Sequence, residues 1–216
     1  MNNKLLPIGI ILLVVGMVAL GVYLSKGREP AVQVLGEGIQ ATDRTKGNAK
    51  SKVELIEYGD MQCPACASFE PMVNRLLAER PELLHFAYRH LPLKSIHKNA
   101  EAGSYAVEAA GQQGKFWEMK TMVYAKQSEW SAMPDPSPKF QEYALALGLD
   151  MDRFLSAYHS SDVKAKVAAD ALTAETAGFQ STPTFALNGK KIANPKSYDE
   201  LIQLLESEQP AGQPAQ

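Results

Sequence analysis

Three regimes of hydrophobic and polar positions follow one another along the chain. Leu5 to Leu24 is apolar throughout, with no charged residue. A helix over that stretch, rising about 1.5 Å per residue, matches the roughly 30 Å hydrocarbon core of a bilayer. The pattern predicts a transmembrane anchor over residues 5–24 behind a short flank, residues 1–4. A cleaved signal is the alternative, since Ala19 and Gly21 form a small-x-small pair. The apolar run nevertheless continues through Val22, Tyr23 and Leu24, past the roughly 7–15 residues typical of a signal. Residues 25–51 are polar and without period, which predicts a flexible linker. Residues 207–216, SEQPAGQPAQ, have little to bury and predict a disordered tail. One domain remains, residues 52–206.

Within that domain the run VELIEY, from Val53 to Tyr58, predicts a buried strand that the Gly59-Asp60 pair ends. Phe69, Met72, Val73, Leu76 and Leu77 recur at helical spacing behind Pro64, a residue suited to the first turn of a helix. Pro71 lies inside this pattern and predicts a kink. Leu83 to Arg89 alternates as a second strand. The Ala-rich stretch 100–110, the stripe Phe116, Met119, Met122 and Val123, and segments opened by Ser137-Pro138, Asp150 and Asp162 predict a block of helices. Thr184 to Leu187 and Lys190 to Ala193 flank an Asn188-Gly189 turn, a hairpin signature, and Tyr198 to Leu205 closes as an amphipathic helix. The order strand, helix, strand, helical block, hairpin, helix predicts an α/β fold whose sheet carries a helical insertion, about residues 96–178.

Composition narrows the chemistry. The 216 residues are 45% hydrophobic with 22 Lys and Arg against 24 Asp and Glu, and no basic run exceeds two residues. Binding to nucleic acid, which draws on clustered phosphate-neutralising charge, is therefore not expected. Only two cysteines occur, Cys63 and Cys66, so no disulfide framework staples the fold and the pair needs its own explanation. Cys-Pro-Ala-Cys places both sulfurs within one turn, at the junction of a strand end and a helix N-terminus, where the thiolate of the first cysteine is favoured. A zinc site completed by His85 and His90 is the competing reading. Five residues apart on a strand, those histidines face opposite sides of the sheet, so no metal is expected. A merely structural disulfide closing so short a ring would remove little chain entropy.

The segments LIEYGDMQCPAC, FAYRHLPL, IHKNA, GKFWEM, LGLD and STPTFALNG, in this order, resemble the DsbA-like branch of the thioredoxin superfamily, in particular its membrane-anchored bacterial disulfide oxidoreductases. The resemblance covers almost the whole domain. It implies a thioredoxin-like fold with a helical insertion, Cys63 as the exposed nucleophile, Cys66 as its partially buried partner, and Thr182-Pro183 as a cis-proline loop packed beside them. A cis bond is otherwise uncommon before proline. Pro64 and Ala65, with Thr182 and Pro183, would contact substrate, an extended chain pairing with the Thr182 backbone. Glu57, six residues before Cys63, matches an acidic proton relay beneath the second cysteine. Flanked by Ile56 and Tyr58, its carboxyl is expected to be partly buried with a raised pKa, unless it lies on the strand's solvated face. Asp60 and Gln62 read as solvated loop residues, Arg89 as a solvated strand end and His97 as a helix cap. Phe116, Trp117, Met119 and Trp130 read as core of the insertion. Ala65 departs from the family's strongest oxidants, which carry histidine there, and this predicts a less oxidising couple.

The function expected is thiol–disulfide exchange that donates disulfides to secreted proteins with free cysteines. No cofactor is needed beyond the Cys63–Cys66 disulfide, and a membrane redox partner is implied for reoxidation. The domain would sit on the extracytoplasmic face of a bacterial cell membrane, held by its N-terminal helix. Lys26 and Arg28 after the apolar run argue the opposite orientation, because basic residues favour the cytosolic side. A reductase or isomerase of the same fold, and a tethered polypeptide-binding module with secondary redox activity, are the alternatives.

Overall fold

The computed structural model describes residues 13–17 and 35–209. The chain divides into two compact units, Met1–Val32 and Gln33–Gln216. In the first, residues 13–17 are helical and exposed. The remainder of the predicted anchor lies outside the described residues, as do the 1–4 flank and residues 210–216. No helix among the described residues is long and apolar enough to cross a membrane.

In the second unit the described strands form one five-stranded sheet. They are β1 (Arg44–Gly47), β2 (Glu54–Gly59), β3 (His85–His90), β4 (Thr184–Leu187) and β5 (Lys190–Ile192), in the order β1-β3-β2-β4-β5. β2 and β3 are parallel, with Glu57 opposite Tyr88, and the other pairings are antiparallel. The parallel pair needs a crossover, which the helix α1 (Pro64–Glu79) supplies. α1 runs unbroken through Pro71 for 16 residues. Asn188 and Gly189 turn the β4–β5 hairpin with φ of 47° and 77°, the conformation the Asn-Gly pair tolerates best.

Between β3 and β4 lie α2 (Ala100–Gly111), α3 (Phe116–Ala125), the single turn α4 (Gln127–Trp130), α5 (Ser137–Ala146), α6 (Met151–His159) and α7 (Ser161–Thr176), and α8 (Tyr198–Ser207) closes the fold. Asp150, Ser160 and Ser197 cap α6, α7 and α8 by accepting from the N–H three residues on. Phe116, Met119 and Trp130 are buried and Trp117 is partly buried against the same core.

The period-two alternation of β2 sorts its side chains between two cores. Leu55 joins Phe86, Tyr88, Phe185 and the apolar faces of α1 and the insertion, while Ile56 and Tyr58 join Ala87, Ala186 and Phe179 on the other side. Glu57 therefore falls on the α1 side, with Leu55. Gly103 of α2 allows a close approach to the turn after β2, because a Cβ there would stand 2.7 Å from the Cβ of Met61.

Two ends of the domain differ from expectation. The linker predicted over 25–51 joins the fold from Leu35, whose N–H donates to Gly189 O at 2.7 Å, and contributes the edge strand β1. Charge rather than apolar alternation fastens it: Asp43 pairs with Arg89 at 2.7 Å, both side chains 2% exposed, and Arg44 pairs with Glu108 at 2.5 Å. Arg89 is thus no solvated strand end, for it also donates to Tyr58 Oη at 2.9 Å and Gly38 O at 2.7 Å. At the other end the predicted tail begins late: α8 includes Ser207, and Gln209 Nε2 donates to Leu83 O at 2.6 Å.

Candidate active site

β2 ends at Gly59, and the turn Asp60–Cys63 delivers the chain to α1. Cys63 is the N-cap, its N–H donating to Asp60 O at 3.0 Å, and its carbonyl accepts from Ala67 N at 3.2 Å. Pro64 follows at the first helical position, where the missing N–H leaves no partner wanting. Pro64 and Ala65 are exposed; Cys63 is not the exposed residue expected but only 6% exposed, covered on one side by the Thr182 carbonyl, and Cys66 is fully buried one turn below. The Thr182-Pro183 peptide is cis, and Thr182 O lies 3.4 Å from Cys63 Sγ.

The two sulfurs differ sharply in acidity. The hydrogen bond from the Cys66 thiol is the main cause that lowers Cys63 to about 5 against the opposing effect of burial, with smaller help from Thr182 and the N–H groups of Cys66 and Ala65. Burial pushes the Cys66 thiol far up, reinforced by its bond to Cys63 and by the charge of Glu57. Glu57 has no exposure, and neither carboxyl oxygen has a hydrogen-bond partner. Its pKa is raised to about 7 by burial, which outweighs Lys120. Lys120 Nζ stands 3.8 Å from Glu57 Oε2 and makes its closer contact with Glu70 of α1. Burial opposes the charge of Lys120, but the two carboxylates prevail and raise its pKa. Cys63, Cys66, Glu57 and Thr182-Pro183 thus converge from β2, α1 and the loop before β4.

Asp60 is not solvated, and Gln62 is half-buried with its carboxamide engaged. Asp60 has no exposure and accepts from Gln62 N at 2.7 Å, Leu93 N at 2.8 Å and His97 Nδ1 at 2.8 Å. Gln62 donates to Ser131 O at 2.9 Å and accepts from Asn99 N at 2.7 Å. His97 therefore braces the active-site turn through Asp60 and does not cap a helix. Gln127, whose Nε2 donates to the carbonyls of Met61 and Cys63, carries no local signal in the sequence. A polar residue inside an apolar helical stripe, as Lys120 is between Met119 and Val123, is the one mark that singles out the lysine.

The histidines do not join the cysteines. His90 Nε2 lies 3.2 Å from Glu108, and Asp170 accepts from His90 N at 3.1 Å. Among the described residues these three bring ligand-type atoms within 4.8 Å of one another. Arg44 and Lys166 already occupy their carboxylates, so the cluster is an ion network joining β1, β3, α2 and α7. Burial opposes the Glu108 carboxylate, but His90 and Arg44 hold its pKa down at about 2.

A family model described as Thioredoxin matches residues 40–207. The chain belongs to the thioredoxin family. The family's fold is also seen in BdbD of Bacillus subtilis, which aligns with a TM-score of 0.68 at 20% identity over 81% of this chain and 97% of that one. α-DsbA1 of Wolbachia pipientis aligns at 0.66 and 17% identity, over 78% and 92%. These are DsbA-like proteins, and the shared architecture is a thioredoxin-like α/β fold. The Na(+)/H(+) antiporter NhaA 1 of Salinispora arenicola is 36% identical over 149 residues, 69% of this chain and 22% of that protein. The chain spans about a quarter of the length of the curated relatives it matches.

Proposed function

We propose that this thioredoxin-family chain is a thiol–disulfide oxidoreductase that donates disulfides to extracytoplasmic proteins through Cys63 and Cys66. The observation that carries the reading is the split acidity of the pair: a thiolate is favoured at Cys63, while the proton is held at Cys66 beside Glu57. A substrate thiolate attacks Sγ of Cys63 in the enzyme disulfide, the S–S bond breaks, and Cys66 leaves as a thiolate that takes a proton, with Glu57 as the buried carboxyl at hand. A second substrate thiolate then attacks the mixed disulfide, and Cys63 leaves as a thiolate. The substrate is oxidised by two electrons and the enzyme is left as the dithiol. A stable Cys63 thiolate favours this direction, because it stabilises the reduced enzyme and leaves readily. The reverse direction, reduction or isomerisation, remains the second reading, favoured by the absence of a polar side chain at Ala65.

The apolar run over residues 5–24 would tether the domain to a bacterial membrane, and an oxidising compartment outside the cytosol suits a working disulfide. Likeness to chains named as sodium/proton antiporters agrees with a membrane setting. Substrates would be folding secreted proteins with free cysteines, and a membrane redox partner would reoxidise the pair.

A Cys66→Ser variant tests the exchange. With a reduced, unfolded substrate under mild oxidation it should accumulate a mixed disulfide at Cys63, visible on a non-reducing gel and absent from Cys63→Ser. A Cys66→Ser chain that forms no such adduct contradicts the exchange reading. A polypeptide-binding module would bind the substrate equally well in both variants.

A further inference from the structure

Neutral carboxamides hold the active-site turn to the helical insertion. Gln62 Nε2 donates to Ser131 O, and Asn99 Nδ2 donates to Ser131 O at 3.2 Å and Met133 O at 2.8 Å. Gln127, the first residue of α4, reaches furthest in. Its single amide nitrogen donates to Met61 O at 2.8 Å and to Cys63 O at 3.0 Å, so both of its hydrogens are used. The Cys63 carbonyl is at the same time the acceptor of the first turn of α1. Met61 is fully buried, so its carbonyl depends on a protein donor. Both carbonyls are dipoles whose negative ends lie in the turn that presents the nucleophile, and the carboxamide covers them with positive ends.

Resting on the reading of Cys63 and Cys66 as an exchange centre, we propose that Gln127 is a positioning residue for that reaction. Its carboxamide offsets the Met61 and Cys63 carbonyl dipoles next to the Cys63 thiolate and fixes the turn that presents the sulfur. The insertion thereby supplies thiolate stabilisation that the methyl side chain of Ala65 cannot. The potential of the couple is set partly from α4, an element remote in sequence from the cysteines.

The test compares the full chain with Gln127→Met, Gln127→Glu and Gln127→Lys, and with Gln113→Ala as a control. Gln113 makes a like amide bond, to Asp150 O at 3.0 Å, just past the C-terminal end of the insertion's helix α2. The readouts are the pH midpoint of Cys63 alkylation and the equilibrium constant with glutathione. Methionine keeps the bulk without donors and should raise the midpoint by about half a pH unit, roughly a threefold fall in the acid constant of the Cys63 thiol. Glutamate, an acceptor facing two carbonyls, should raise it by about one unit and make the enzyme disulfide roughly tenfold harder to reduce. Lysine, a charged donor, should lower it, and the control should leave it unchanged. A role in packing alone would shift glutamate and lysine variants the same way. That outcome, or a methionine variant with the wild-type midpoint, overturns the proposal. A wild-type chain with no reversible couple overturns the exchange reading instead.

Discussion

With its pKa pushed up to about 7 by burial, Glu57 keeps a proton that an unfolded carboxyl gives up near 4.5. The folded state then binds more protons between those values, and this group makes the domain less stable as pH rises through the window. Lys120 stays charged throughout, and its attraction to the ionised Glu57 is already contained in that raised value. Glu57→Gln should therefore gain stability relative to wild type between pH 4.5 and 7, by on the order of 3 kcal/mol. Urea unfolding at several pH values checks this, and a pH-independent difference would contradict it. Cys63 has the opposite sign in the reduced protein. Its pKa is depressed to about 5 from 9, so its contribution is full above pH 9 and is lost as pH falls through 5. The reduced domain should accordingly gain on the oxidised one as pH rises across that window, in paired unfolding curves of the two forms. At this scale the cysteines were legible because their spacing and the following proline are local signals. Asp60, Gln62 and Arg89 were misread as solvated because their partners, His97, Asn99, Ser131 and Asp43, lie far away in sequence.

At the scale of elements, strands and helices with their own apolar period could be read directly, from β2 and α1 to the Asn188-Gly189 hairpin. β1 could not. Its four residues RTKG carry no alternation, and the segment is fastened by ion pairs whose other halves sit on β3 and α2. Breaking one of these pairs from a single side leaves a buried charge without its partner, which is the costly case. Asp43→Ala should therefore destabilise the domain by about 3 kcal/mol, through the stranded Arg89. Chemical denaturation measures it. A cost near zero, the value of an exposed pair, would show that the arm is not held by that contact. A domain cut to start at Val53 would lack residues 35–47, leaving β3 without its outer neighbour and Arg89 without its carboxylate.

For the whole molecule, the sheet and insertion serve one arrangement. β2 carries Glu57 beneath the pair, the N-cap and first turn of α1 carry the two sulfurs, the loop before β4 brings Thr182-Pro183, and α4 reaches back to the turn. The fold was legible from the order of elements, and the Thioredoxin family match over residues 40–207 bears out the family. Lys120 and Gln127 lie outside that legible frame, since only packing of the insertion against α1 tells what they touch. Direction of electron flow is a property of the whole couple. The most direct test is the redox equilibrium of the full chain against a glutathione series, with the Cys63–Cys66 state read by thiol alkylation. A disulfide donor requires a reversible couple near −120 to −180 mV, roughly the span from strong oxidants to disulfide isomerases; a value near about −270 mV, that of a reductase, would contradict it.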